Sequence, residues 1–167
     1  VAASRLGLRT HIFEPGANPP AGHVAHAVTT AAYDDAAALR AFGAAVDVIT
    51  YEFENIPTEA LDILQGCAPI RPGREALRVS QDRLTEKSFL RDLGLMTAPF
   101  SDVPDAAALD AALGAIGAPA ILKTRRFGYD GKGQARINRP EDAAAALADM
   151  AGAPAILEGF VAFGHEV

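Results

Sequence analysis

The stretch that most constrains how this chain folds runs from Ala120 to Ile137. An apolar run, Ala120-Ile121-Leu122, leads into Lys123-Thr124-Arg125-Arg126-Phe127-Gly128-Tyr129-Asp130-Gly131-Lys132-Gly133-Gln134, and a second strand-like run, Gln134-Ala135-Arg136-Ile137, leads out. Three glycines within six residues, flanked by β-formers, predict strand, glycine-rich hairpin loop, strand. Glycine lets a backbone come close to a ligand and expose its N–H groups, and cations beside such a loop suit phosphate oxygens. An ordinary hairpin with solvated charges satisfies the same residues, so the rest of the chain has to decide.

The charge distribution bears on that choice. The net charge is −6 and the pI about 5.1, which argues against nucleic acid as a partner. Yet six of the Lys and Arg residues lie between Lys123 and Arg139, against one acid, Asp130. An acidic protein with one basic loop points to a small anionic ligand held locally. Only Lys87, Lys123 and Lys132 are lysines, and two of these flank the glycines. Lysine is a compact charge on a flexible stem, suited to reaching phosphate.

The 167 residues, half of them hydrophobic, suffice for one domain or two small ones. Cys67 is the only cysteine, so an internal disulfide is excluded and a reducing, cytoplasmic setting is expected. It reads as a small core residue at a strand start. No apolar run reaches membrane-spanning length, and no signal peptide or membrane partner is expected. Val1 to Leu8 reads as the last turns of a helix closing at Gly7, and Gly164 to Val167 as a strand beginning, so a fragment of a longer chain is expected.

The first half alternates. Thr10–Glu14 and Ala25–Thr30 are short strand candidates. Asp34 or Asp35 caps a helix to about Ala45. Val46–Phe53 is nearly continuous in β-branched and aromatic residues, as in a strand buried on both faces of a parallel sheet. Pro57 starts a helix from Thr58 to Gln65, and Ala68-Pro69-Ile70 is a further strand. This β-α-β order predicts an α/β class with a doubly wound parallel sheet over residues 1–98. Ligands of such sheets lie at the carboxyl ends of the strands. Glu52 and Glu54 stand at such an end, spaced to face the same way; they suit a cationic or amine group, or simply a solvated strand end.

Ser80 is placed as cap of a helix through Leu93. On it Arg83 and Lys87 lie one turn apart and repel by a few tenths of a kcal/mol unless an anion sits between them; a mixed-charge surface helix with Asp82 and Glu86 is the other reading. Gly94–Phe100 reads as a linker. Over residues 99–167 the order is helix from Pro104 to about Gly117, strand, loop, strand, helix from Pro140 to about Gly152, strand: an α+β unit. The similar runs Gly117–Lys123 and Gly152–Glu158 place Lys123 and Glu158 at matching depths.

Several motif classes are excluded. Gly131-Lys132 is followed by Gly133 and not by Ser or Thr, so the loop is not a Walker A motif. It opens a strand, not a helix, so it is not a dinucleotide fingerprint. The four histidines give no metal spacing, and no G-x-S-x-G appears.

The set Lys123, Gly128-Tyr129-Asp130-Gly131-Lys132-Gly133-Gln134, Glu158-Gly159-Phe160-Val161 and Glu166 resembles the ATP-grasp fold, and in particular the 5-(carboxyamino)imidazole ribonucleotide synthetases of purine biosynthesis. Tyr51-Glu52-Phe53-Glu54-Asn55-Ile56 and Gln81–Lys87 fit the same family. The resemblance implies a pre-ATP-grasp α/β domain followed by the first α+β subdomain of an ATP-grasp fold. It implies ATP as cofactor, with Arg83 and Lys123 on its phosphates, Gly128–Gln134 folding over the triphosphate, Glu158–Val161 meeting adenine and Glu166 the ribose. Glu52 would face the substrate amine, and Tyr129 with Asp130, the catalytic candidate, would lie near the imidazole. The reaction implied is ATP-dependent carboxylation of aminoimidazole ribonucleotide by bicarbonate through carboxyphosphate, by an enzyme that is a homodimer at full length. Mg²⁺ is implied too, with its ligands outside these residues, as is the glycine loop for the ribose phosphate. These 167 residues alone are therefore expected to be inactive. The alternatives are a formate-dependent glycinamide ribonucleotide transformylase, against which Tyr129-Asp130 argues, and a non-catalytic nucleotide-binding domain.

Overall fold

The computed structural model describes residues 1–128 and 132–165. The chain forms two compact units, Val1–Arg78 and Val79–Val167. The expected boundary after residue 98 differs from this division by the segment 79–98, which belongs with the second unit.

The first unit begins with α1 (Ala2–Arg5), which closes on Gly7 at φ 74°. β1 (His11–Phe13) and β2 (Ala27–Thr29) pair in parallel, with His11 opposite Ala27 and Phe13 opposite Thr29. Asp35 caps α2 (Ala36–Ala44) by accepting from the Ala37 and Ala38 N–H groups. α3 (Thr58–Leu64) follows Pro57, and the unit's last residues, to Arg78, lie in α4 (Arg74–Ser80). Leu39, Ile49, Leu61, Leu64 and Leu77 form the core.

The strand expected over Val46–Phe53 is reduced to one parallel bridge, Ile49 with Ile70. Ile49 donates to the Pro69 carbonyl and accepts from the Arg71 N–H. On the partner segment the N–H groups that face this strand come from alternate residues, and at one of those positions stands Pro69, which has none to extend the ladder. Beyond the bridge the chain enters a turn at Glu54-Asn55. Glu52 and Glu54 therefore lie, exposed, outside any strand, and strand alternation does not set their direction. Cys67, expected in the core, is exposed in the turn after α3.

The second unit opens with α5 (Arg83–Asp92). Its cap is Asp82, whose carboxylate accepts from the Thr85 N–H, and not Ser80, which ends α4. The segment read as a linker leads into a strand, β3 (Phe100–Val103). α6 (Ala106–Ile116), β4 (Ala120–Thr124), β5 (Gln134–Ile137), α7 (Ala143–Asp149) and β6 (Ala155–Gly159) follow. The four strands form an antiparallel sheet in the order β3-β6-β4-β5.

Strand alternation divides this sheet into two chemistries. One face presents Val103, Ala120, Leu122, Ile137, Ala155 and Leu157 to the helices, where Leu109, Ala112, Leu113, Ala143 and Ala146 close a dry core. On α6 these residues recur at helical spacing. Fully burying each large side chain contributes about 1.5–3 kcal/mol. The other face carries Phe100, Asp102, Lys123, Gln134, Arg136 and Glu158, with Ile121 and the fully buried Ile156 between the charged residues.

Candidate functional site

The polar sheet face lies against α5. Lys87 and Arg91 stand over the Phe100 ring, with their cationic groups 5.9 Å and 5.4 Å from its centroid. Beneath them Glu158 is 7% exposed. Two ammonium groups share one of its oxygens: Lys123 Nζ at 3.0 Å and Lys87 Nζ at 3.4 Å from Oε2. The side chains of Lys87 and Lys123 are 16% and 20% exposed. A half-desolvated cluster of two cations on one carboxylate carries an excess positive charge and favours an incoming anion.

Lys123 and Glu158 do not sit at matching depths. β4 and β6 are antiparallel, so Lys123 lies opposite Ile156 and Glu158 opposite Ile121. The pair meets diagonally across the ladder, within reach of a long side chain.

The loop stem is bound to the start of α5. Arg83 Nη2 donates to the Gly128 carbonyl at 3.2 Å. The Thr124 N–H donates to the Gly133 carbonyl at 2.8 Å, which closes the stem. Gly133 has φ 68°, and a Cβ there would lie 2.6 Å from Thr124 Oγ1, so only glycine fits. At Gly128 a Cβ would lie 3.2 Å from both the Lys132 carbonyl oxygen and Thr124 Oγ1.

At the exit of β6 the Gly159 N–H donates to the Pro99 carbonyl at 2.8 Å, and the Phe160 N–H to that of Pro119. The Arg136 guanidinium lies 4.2 Å from the Phe160 ring centroid. Val161 is about half exposed.

The structure thus brings Arg83, Lys123, Gly128, Gly133, Glu158, Gly159 and Phe160 together within the second unit, with exposed Lys132 and Gln134 on the exit side of the loop. Glu52 belongs to the first unit. Tyr129, Asp130, Gly131 and Glu166 lie outside the described residues. Three participants escaped the sequence reading as site residues. Lys87 was visible as the partner of Arg83 one turn on; its anion is Glu158. Arg125 lies inside the basic run, and Asp82 reads only as one charge of a mixed-charge helix surface. Burial pushes the Asp82 carboxyl up, but hydrogen bonds from Arg125 and the Thr85 N–H carry it below its ordinary value.

Residues 1–81 match the ribonucleotide synthetase pre-ATP-grasp domain, and residues 88–167 match the ATP-grasp domain. An N5-carboxyaminoimidazole ribonucleotide synthase of Brucella melitensis is 53% identical over the whole of this chain, which covers 47% of that protein. The chain belongs to the N5-carboxyaminoimidazole ribonucleotide synthase family. It spans about half the length of the curated relatives it matches. The ADP complex of one N5-carboxyaminoimidazole ribonucleotide synthetase superposes with a TM-score of 0.90 at 35% identity, over 98% of this chain and 43% of the other. The Aspergillus clavatus synthase, solved with ADP and 5-aminoimidazole ribonucleotide, gives 0.85 at 25% identity, over 98% and 43%. In this family's frame, the α/β unit is the pre-ATP-grasp part and the antiparallel sheet belongs to the ATP-grasp part.

Proposed function

We propose that this chain is the nucleotide-gripping half of an enzyme that uses ATP and bicarbonate to carboxylate 5-aminoimidazole ribonucleotide, releasing ADP and phosphate. The observation that carries the proposal is the buried Lys123–Glu158–Lys87 cluster beside a glycine loop rooted on Arg83. The identity to synthases over the whole chain supports the choice of substrate.

In this reading Lys123 and Arg83 contact the ATP phosphates, and the Gly128–Gln134 segment lines the triphosphate. The strand exit Glu158–Val161 receives adenine, and Glu166 accepts from the ribose hydroxyls. A bicarbonate oxygen attacks the γ-phosphorus, the β–γ bridging bond breaks, and ADP leaves. The exocyclic amine then attacks the carboxyphosphate carbon; a C–N bond forms, the C–O bond to phosphate breaks, and the nitrogen loses its proton. Glu52 holds that amine by accepting its hydrogen bonds, while Tyr129 and Asp130 orient the imidazole. The cations counter the charge that builds on the transferring phosphoryl group. ATP enzymes of this kind also employ Mg²⁺, but no group of three His, Cys, Asp or Glu among the described residues fits a metal ion.

The test is ADP release by the full-length protein. Release that requires both bicarbonate and aminoimidazole ribonucleotide is expected, with none from residues 1–167 alone. Turnover driven instead by formate and glycinamide ribonucleotide, or activity in residues 1–167, overturns the reading.

A further inference from the structure

Hydrogen bonds join Gln81, Asp82 and Arg83, just before and at the start of α5, to Arg125, Arg126 and Gly128 on the entry side of the glycine loop. Arg126 Nη2 donates to Gln81 Oε1 at 3.3 Å. The Arg125 guanidinium forks onto the Asp82 carboxylate, with Nη2 at 2.8 Å and Nε at 3.0 Å from Oδ2. The Arg83 N–H donates to the Arg125 carbonyl at 2.9 Å, and the Arg83 guanidinium reaches the Gly128 carbonyl. Arg125 is held from two more sides, by Asp102 of β3 at 3.3 Å and through its own N–H by the Pro154 carbonyl at 2.9 Å.

Asp82 stands at the centre of this arrangement. One carboxylate caps α5 through Thr85 and grips Arg125. The helix start and the loop stem are therefore tied to each other through one side chain. Arg83, the next residue, points its guanidinium at the stem that Asp82 secures. The two side chains are 17% and 25% exposed, so water screens the pair only in part. Forked arginine–carboxylate pairs fix orientation as well as distance.

We propose that Asp82 and Arg125 are positioning residues that hold the Arg125–Gly128 stem on α5, so that Arg83 and Lys123 meet the same phosphate chain. The part about phosphate rests on the function proposed above; the clamp does not. In this proposal the clamp acts through Arg83 and the stem, which it contacts directly.

Asp82→Asn separates the two tasks, because Asn caps a helix as well as Asp does but gives Arg125 no charge. Asp105→Asn, the same change at the cap of α6, is the control. Two readouts are made on the full-length protein. Tryptic cleavage at Arg125–Arg126–Phe127 without nucleotide reports the stem directly. It is expected to quicken about tenfold in Asp82→Asn, as befits loss of one charge-assisted hydrogen-bonded pair, and to stay at the wild-type rate in Asp105→Asn. In steady-state kinetics KM for ATP is expected to rise about tenfold, with kcat within about threefold of wild type. Unchanged cleavage in Asp82→Asn overturns the clamp whatever the enzyme's reaction. Faster cleavage with KM for ATP unchanged overturns its role toward phosphate. If wild type shows no bicarbonate-dependent turnover, the proposed function falls, and cleavage still judges the clamp.

Discussion

Glu158 has two lysines where one would balance it, and this makes the consequence of removing them non-additive. At an effective dielectric near 20, a unit pair at the Lys123 distance attracts by roughly 5–6 kcal/mol, and one at the Lys87 distance by roughly 5, before the opposing cost of desolvation. Neither lysine dominates. Lys123→Met leaves Glu158 paired with Lys87, and Lys87→Met leaves it paired with Lys123; each is expected to cost about 1 kcal/mol of stability. Removing both leaves an ionised carboxylate, 9% exposed in its side chain, without a counter-charge. Such uncompensated burial costs about 3–5 kcal/mol. The double variant should therefore lose about 4 kcal/mol, some 2 kcal/mol more than the sum of the singles. Urea unfolding at neutral pH without nucleotide, followed by far-UV circular dichroism, measures each corner of the cycle. Adding Glu158→Gln to the double variant should recover most of the excess, since an amide needs no counter-charge. Additivity within about 0.5 kcal/mol, or no recovery on adding Glu158→Gln, would show that the lysines do not share the carboxylate.

Lys123→Ala in the full-length protein should weaken ATP binding about tenfold or more by removing a charge-assisted phosphate contact; an unchanged ATP dissociation constant in calorimetry counts against that role. Gly43→Ala should destabilise the first unit by about 1–3 kcal/mol, although alanine usually stabilises a helix interior. Its Cβ would lie 2.6 Å from that of Cys67 and 3.0 Å from a Leu64 methyl; a raised thermal midpoint refutes the packing argument. Asp82 has its carboxyl pKa lowered in the folded chain, so its contribution is present above the unfolded value of about 3.9 and is lost as pH falls through the folded value. The stability gap between wild type and Asp82→Asn should accordingly be full at pH 7 and narrow toward pH 3 in urea titrations; a constant gap would mean that charge is not what Asp82 supplies.

The sequence made some of this legible because the signals were local. Asp35 capping α2, Pro57 starting α3 and the hairpin around Gly128–Gly133 each follow from side chains within a few residues of the feature they set. The failures are non-local. Val46–Phe53 has strand composition throughout, but a strand needs a partner with N–H groups, and at the position facing it before Arg71 Pro69 has none. β3 hides in a segment with little strand propensity, Phe100-Ser101-Asp102-Val103, and exists because β6 offers it an edge. Ser80 reads as the cap, yet Asp82 is the cap, and its carboxylate is also held by Arg125, more than forty residues away.

The candidate site is legible in outline from the sequence but not in its wiring. Lys123, Glu158 and the glycines form motifs, and motifs survive in one dimension. The pairing of Glu158 with both lysines depends on the antiparallel register of β4 and β6 and on α5 crossing their polar face, neither of which a spacing count reveals. An antiparallel ladder puts Glu158 beside Ile121, and only the length of the lysine stem brings the charges together on the diagonal. Shortening that stem would separate the charges while leaving the fold's apolar face untouched, since Leu122 and Leu157, the buried neighbours of Lys123 and Glu158 in the chain, point the other way. The charged cluster and the helix-facing core of this unit are thus set by alternate residues of the same strands, with the fully buried Ile156 packed on the charged side beside Lys123.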